Sequence, residues 1–440
     1  MRKFLLSIFP ITLVLAVGCG SSTTSTTLGS GSGSGSTGSS NGDNTMSIAV
    51  NGGPTANQPG GSIYENAAFA SATICAPGST TNCVTVDNLL VDTGSPGLRV
   101  LESAVASLGL PAVNASSGSA AYDCISFVDG SYLWGPVEQA DVTLGGETAD
   151  KVPLQVISSS TTGIPSSCSN GSTLNENTVA SLGANGILGV GSERTDCFYE
   201  DRSPCDPTLG LSSPPSPAYY TCSGSSCSPA FISVDNQVTN PVVLFPTDNN
   251  GVIVELPSVS GSAATVSGSL VFGIGTESNN QLSSSATVFT LTCDAFTTEF
   301  ESSTYGVTND STCAGPASFI DSGSNGLFFP NAAGIPTCPT NSPVGNISGF
   351  YCPTSTESFS ATNSGTNGAS KTTSFSVANA ETLFTSSTSS DAALSGLAGL
   401  NPTGYGFDWG LPFFYGVNVY SSIDGQTMPS GQPAAPWWAY

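Results

Sequence analysis

The 440 residues carry 7 Lys and Arg against 31 Asp and Glu, a formal charge of −24, and no histidine. So acidic a chain repels phosphate backbones, which argues against nucleic acid as a partner, and without imidazole neither a Ser-His or Cys-His nucleophile pair nor a His-ligated metal can be built. Carboxylates must carry any acid–base chemistry. With 38% hydrophobic residues the chain can bury the cores of two lobes, and its abundant Gly, Ser, Thr, Asn and Pro suit short strands and tight turns, so the fold class read here is all-β.

Arg2 and Lys3 precede an apolar run from Phe4 to Val17, long enough for a signal-peptide core and short for a membrane-spanning helix. The run ends in Ala16-Val17-Gly18-Cys19, which resembles a bacterial lipobox, although that pattern prefers Leu where Ala16 stands. The resemblance implies that residues 1–19 are a lipoprotein signal with Cys19 as the lipidated mature N-terminus; cleavage without lipid is the alternative. Residues 20–49 are rich in Ser, Thr and Gly and should form a flexible tether spanning roughly 25 to 30 Å. Gly20 after the cysteine is similar to the outer-membrane sorting pattern of Gram-negative lipoproteins, so the expected location is the cell envelope, with membrane contact through the N-terminal lipid only.

From residue 50 onward, short apolar or alternating runs predict strands at 88–91, 137–144, 154–157, 252–256, 270–272 and 287–292. Brief helices are expected at 102–110 and around 391–397. The Pro246-Thr247-Asp248-Asn249-Asn250-Gly251 turn divides an N-terminal β lobe, 50–250, from a C-terminal one, 251–440. That turn lacks the later glutamate of a calcium loop and is read as a plain turn. Twelve cysteines follow Cys19, an even number that in an exported chain predicts disulfides; 75 with 83, 222 with 227 and 338 with 352 are close enough to staple local loops, but connectivity stays open. The stretch from Cys197 to Cys227 is expected to be a surface insertion, and Trp437-Trp438-Ala439-Tyr440 a packed terminal strand.

The chain repeats itself at one informative place. Leu90-Val91-Asp92-Thr93-Gly94-Ser95 is echoed by Phe319-Ile320-Asp321-Ser322-Gly323-Ser324, and Gly186-Ile187-Leu188-Gly189 and Asp408-Trp409-Gly410-Leu411 follow at comparable distances. Each aspartate ends a strand at a loop where glycine permits a close backbone turn. If the two loops meet, Asp92 and Asp321 must share a proton, leaving one as base and the other as acid, which is enough to drive water onto an amide carbonyl with no metal or cofactor. Thr93 and Ser322 suit bracing across the pair, and Ser95 and Ser324 suit bonding its outer oxygens.

These residues resemble the pepsin-like aspartic peptidases over roughly residues 60–440, and also an uncharacterised family of bacterial lipoproteins carrying the same segments. The resemblance implies a bilobal double β-barrel with pseudo-two-fold symmetry and a central cleft, in which an extended peptide is bound as an added strand. It assigns Asp92 and Asp321 as catalytic, with Thr93, Gly94, Ser95, Ser322, Gly323 and Ser324 in support. The flap falls at Phe127, Asp129, Gly130 and Ser131, and Trp409-Gly410-Leu411 resembles the last crossover. Phe127 stands where the family has a tyrosine and Arg99 where it often has the tryptophan that partners it. The aspartates are 321 − 92 = 229 residues apart, longer than the family norm. The expectation is a monomeric, lipid-anchored aspartic endopeptidase acting on extended peptide or protein. The alternative is a non-catalytic envelope lipoprotein on the same fold.

Overall fold

The computed structural model describes residues 44–55, 63–127, 130–197, 204–215, 218–308, 313, 315–385, 390–401 and 405–440. Cys19 and Asp129 lie outside them. Among the described residues the chain is mostly β, as expected from its composition. Fifteen strands form one continuous hydrogen-bonded sheet, and three smaller sheets of two, four and four strands complete it.

Four of the six predicted runs lie within strands, at Cys83–Asp92, Tyr132–Leu144, Glu147–Ile157 and Val266–Phe272, and the runs 252–256 and 287–292 overrun the shorter strands Gly251–Glu255 and Val288–Thr290. Cys83–Asp92 ends in the buried run Leu89 to Asp92 because it is flanked on both sides. Tyr64–Cys75 pairs with it antiparallel and Gly186–Val190 parallel, so both edges of its last residues are hydrogen-bonded within the sheet. The expected tether stops short of residue 49: Thr45–Gly52 is a strand, its alternate residues Met46, Ile48 and Val50 buried, and it joins Tyr64–Cys75 to Val266–Phe272, which carries the sheet from the first half of the sequence into the second. Trp437–Ala439 is buried between Asn418–Ser422 and Val288–Thr290, as a packed terminal strand should be.

The second half is filled by aromatic rings. Phe329 stacks on Phe407 at 5.1 Å between centroids and Phe407 on Trp409 at 5.3 Å. Each such ring taken from water contributes about 1.5–3 kcal/mol.

Two helix expectations part ways. The first holds as a single α-turn, Glu102–Val105, running into a 3₁₀ turn closed by Gly109 at φ +59°. The second fails. Residues 393–394 form a short strand against Ser262–Ala263, and the backbone of Ala392 and Leu394 is engaged by Asn66, so those groups are taken up across the sheet and not within a helix. A helix at Ala380–Thr385 was not anticipated.

All twelve cysteines after Cys19 are paired. The three close pairs form as envisaged, and the rest join Cys124 to Cys168, Cys197 to Cys205 and Cys293 to Cys313. The stretch after Cys197 is more than a surface loop. Its hairpin, Tyr219–Ser223 with Ser226–Pro229, is stapled by Cys222–Cys227 and adds to the strand Ala121–Ser126, burying Tyr219 and Tyr220 fully. No helix among the described residues is long and apolar enough to cross a membrane. The six disulfides fit an exported protein.

Candidate active site

Each aspartate stands at the end of a strand pinned by two apolar residues, Leu90-Val91 and Phe319-Ile320, all buried. The strand arrangement around Asp92 recurs around Asp321. Cys83–Asp92 runs parallel to Gly186–Val190, which runs antiparallel to Pro96–Leu101. Phe319–Ile320 likewise runs parallel to Asp408–Trp409, which runs antiparallel to Leu327–Phe329. Gly189 and Gly410 lie beneath the loops where a side chain has no room: a Cβ would sit 2.7 Å from the Ser95 carbonyl oxygen at one and 2.1 Å from that of Gly326 at the other.

The loops bond their own carboxylates in the same way. Gly94 N donates to Asp92 Oδ1 at 2.8 Å and Ser95 Oγ donates to Asp92 Oδ2. Gly323 N donates to Asp321 Oδ1 at 2.7 Å, and Ser324 Oγ lies 2.9 Å from Asp321 Oδ2. Between the loops, Ser322 N donates to Thr93 Oγ1 at 2.9 Å, Thr93 N to Ser322 Oγ at 3.1 Å, and Ser322 Oγ to the Val91 carbonyl at 2.7 Å.

This lattice presses the acids together. A Cβ on Gly94 would lie 2.5 Å from Asp321 Cγ, and one on Gly323 would lie 2.8 Å from Asp92 Oδ1, so each glycine is required by the opposite carboxylate. Asp92 and Asp321 are hydrogen-bonded to each other and wholly buried. Burial first, then Asp92, then Asp408 hold the Asp321 carboxyl well above the ordinary carboxylate range. Two carboxylates so placed cannot both ionise cheaply, and the pair keeps one proton between them.

Two backbone hydrogen bonds join Phe127 to the residues that follow position 129. Phe127 N donates to the Ser131 carbonyl at 2.8 Å and Gly130, at φ +85°, donates to the Phe127 carbonyl at 3.0 Å. Phe127 and Leu90 belong to one buried apolar cluster with Tyr64, Ile125 and Ile187. Arg99 is fully buried and ion-paired to Asp123 of the strand Ala121–Ser126 at 3.2 Å and to Asp196 at 3.1 Å. The Tyr219 hydroxyl donates to Asp196 and accepts from Val238 N. The strand Ala121–Ser126 is thereby fastened by an ion pair, by the added strand Tyr219–Ser223 and by the Cys124–Cys168 disulfide.

Three residues near the pair had been given no role by sequence reasoning. Asp408 lies 2.7 Å from Ser324 Oγ through Oδ2 and is fully buried; the signal was an acid set between Phe407 and Trp409. Asn66, at φ +52°, donates its side-chain amide to the carbonyls of Asn325 and Leu394 and accepts from Leu394 N and the Tyr415 hydroxyl. It thus joins the strand Tyr64–Cys75 to the segment just beyond Ser324. Burial pushes the Glu65 carboxyl beside it up to about 7. Among the described residues no cluster of His, Cys, Asp and Glu suits a metal.

The family described as "Protein of unknown function (DUF3443)" matches residues 40–440. The chain belongs to this family. No curated protein matches this DUF3443 chain. Among solved structures, an aspartic proteinase from Irpex lacteus is similar at 15% identity and a TM-score of 0.44, over 86% of this chain and 93% of that one. What this DUF3443 site can do follows from its own atoms. A buried carboxyl pair holding one proton sets a base beside an acid, the two groups that general acid–base chemistry requires.

Proposed function

We propose that the protein is a lipid-anchored aspartic-type endopeptidase of the cell envelope, with Asp92 and Asp321 as its catalytic pair. The observation that supports this most is the reciprocal fit of the pair, in which each carboxylate rests against the glycine of the other's loop. In this reading the sequence forms two related lobes, 50–250 and 251–440, each a barrel contributing one loop to a cleft about a pseudo-two-fold axis. An extended peptide lies in the cleft under the flap formed by Phe127, Asp129, Gly130 and Ser131. One carboxylate takes a proton from water as its oxygen attacks the amide carbon, and the other gives its proton to the carbonyl oxygen. The resulting diol collapses with proton transfer to the departing nitrogen, and no covalent enzyme intermediate forms. Thr93 and Ser322 hold the loops in register, while Ser95 and Ser324 fix the outer oxygens. Cys19 carries the lipid, residues 20–43 keep the monomeric domain off the membrane, and neither metal nor cofactor takes part.

Incubating the purified protein with an unfolded polypeptide between pH 3 and 7 tests the reading. Peptide bonds should be cut by the wild type, and at least about a hundred-fold more slowly by Asp92→Asn and by Asp321→Asn. Equal cutting by all three would remove the pair from the mechanism.

A second reading, a non-catalytic envelope lipoprotein on the same fold, is favoured by one observation: Asp92 and Asp321 are wholly buried and Asn66 fastens the chain across beside them. No cutting by any sample would move the assignment there.

A further inference from the structure

We infer that Asp408 is a positioning residue that carries its own proton and, by donating to Ser324 Oγ, turns the Ser324 hydroxyl hydrogen onto Asp321. This inference rests on the peptidase reading for its effect on rate, but not for the placement of the proton.

Proton counting leads to it. Ser324 Oγ has one hydrogen yet lies 2.9 Å from Asp321 Oδ2 and 2.7 Å from Asp408 Oδ2. With both acids ionised, one of those contacts would set lone pair against lone pair. One of the two must therefore hold a proton. If Asp321 held it on Oδ2, it would face Ser324 and not Asp92, and the pair would lose the hydrogen it shares. If Asp408 holds it, Oδ2 donates to Ser324, Ser324 donates to Asp321 Oδ2, and the proton of the pair is left between Asp321 and Asp92.

The surroundings of Asp408 favour the second arrangement. Its Oδ1 is buried without a hydrogen-bond partner among the described residues, tolerable for a neutral carbonyl oxygen and costly for an anion. The charged groups that face it are Asp92 and Asp321, both acids. The neighbouring segments Phe319–Ile320, Leu327–Phe329, Ala398–Leu400 and Leu411–Phe414 carry no Lys, Arg, Asp or Glu. Burial and Asp92 together hold its carboxyl well above the ordinary range, against the opposing bond from Ser324. The matching position in the first half is Ile187, which pairs with Leu90 as Asp408 pairs with Phe319. An apolar residue thus satisfies the fold at that place, and the acid there serves the pair.

As pH rises far enough to ionise Asp408, the Ser324 hydrogen turns from Asp321 to Asp408, and Asp321 loses a donor. Asp408 then sets the alkaline limb of the activity profile. An asparagine keeps a neutral donor toward Ser324 at every pH. Asp408→Asn should therefore move the alkaline limb upward by about one pH unit or more while leaving the acid limb in place; a purely structural residue would lower the rate evenly across pH. Infrared difference spectra of the full protein at pH 6 give a reading that needs no substrate. The wild type should show the carbonyl stretch of a buried protonated carboxyl that Asp408→Asn loses, and Ser324→Ala should keep that band at a shifted frequency. A band unchanged in Asp408→Asn, or an unmoved alkaline limb in an active enzyme, would overturn the inference. Absence of hydrolysis in the wild type would count against the peptidase reading alone, since the infrared result would still decide where the proton sits.

Discussion

Thr93 and Ser322 each donate a backbone N–H to the other's side-chain hydroxyl, although 229 positions separate them. The exchange ties the two aspartate loops at their bases, and Ser322 adds a bond to the Val91 carbonyl. Thr93→Val keeps the shape and removes the acceptor for Ser322 N. The loss of one buried hydrogen bond with its donor left unmet should cost about 1–3 kcal/mol. Chemical denaturation should show the midpoint falling without a change in slope, and cutting should slow because the carboxylates lose their register. An unchanged midpoint would mean that the loops are held from elsewhere.

Arg99 offers a sharper test of how the strand Ala121–Ser126 is held. It is paired with Asp123 and Asp196, and all three are buried. Loss of hydration works against its charge, and the two aspartates more than offset that, holding the guanidinium above its usual range. Arg99→Met should leave two buried acids facing one another and destabilise the protein by about 3–5 kcal/mol. Adding Asp123→Asn and Asp196→Asn to it should recover part of the loss, because the stranded charges go with it. Failure of that rescue would show that packing, and not charge, is what Arg99 contributes.

Glu65 predicts a pH dependence of stability. Its carboxyl is pushed from 4.5 to about 7 by burial, so the folded chain binds its proton more tightly than the unfolded chain does. The contribution is fully present below pH 4.5 and is lost as pH rises through about 7. Its size is up to about 3 kcal/mol at 1.36 kcal/mol per pH unit. Glu65→Gln should match the wild type near pH 4 and exceed it above pH 7.5 in thermal midpoint. A constant difference between the two across that range would contradict the burial of the carboxyl.

Much of this was legible in the sequence because it depends on local spacing. An apolar pair, an aspartate, a small hydroxyl residue and a glycine suffice to mark a strand end and a tight loop, and their repetition at Asp321 pointed to a partnership. What escaped was set by contacts across the fold. Arg99 read as the loss of a flap contact, whereas the fold supplies Asp123 and Asp196, 24 and 97 positions away, as a replacement. Asp408 read as part of a crossover motif, since its nearness to Ser324 depends on strand pairing and not on sequence distance. The segment 391–397 has a helix-forming composition, and its backbone is claimed by Asn66, whose position no local rule could supply.

The central claim is that Asp92 and Asp321 hold one proton in common. Carbon-13 labelling of the aspartate carboxyls and titration by NMR address it directly. The account predicts two steps separated by well over about one pH unit, the upper far above the ordinary carboxylate range, and collapse of that pattern to a single step in either Asp92→Asn or Asp321→Asn. Two carboxyls titrating independently near the ordinary value of about 3.9, each indifferent to removal of the other, would contradict it.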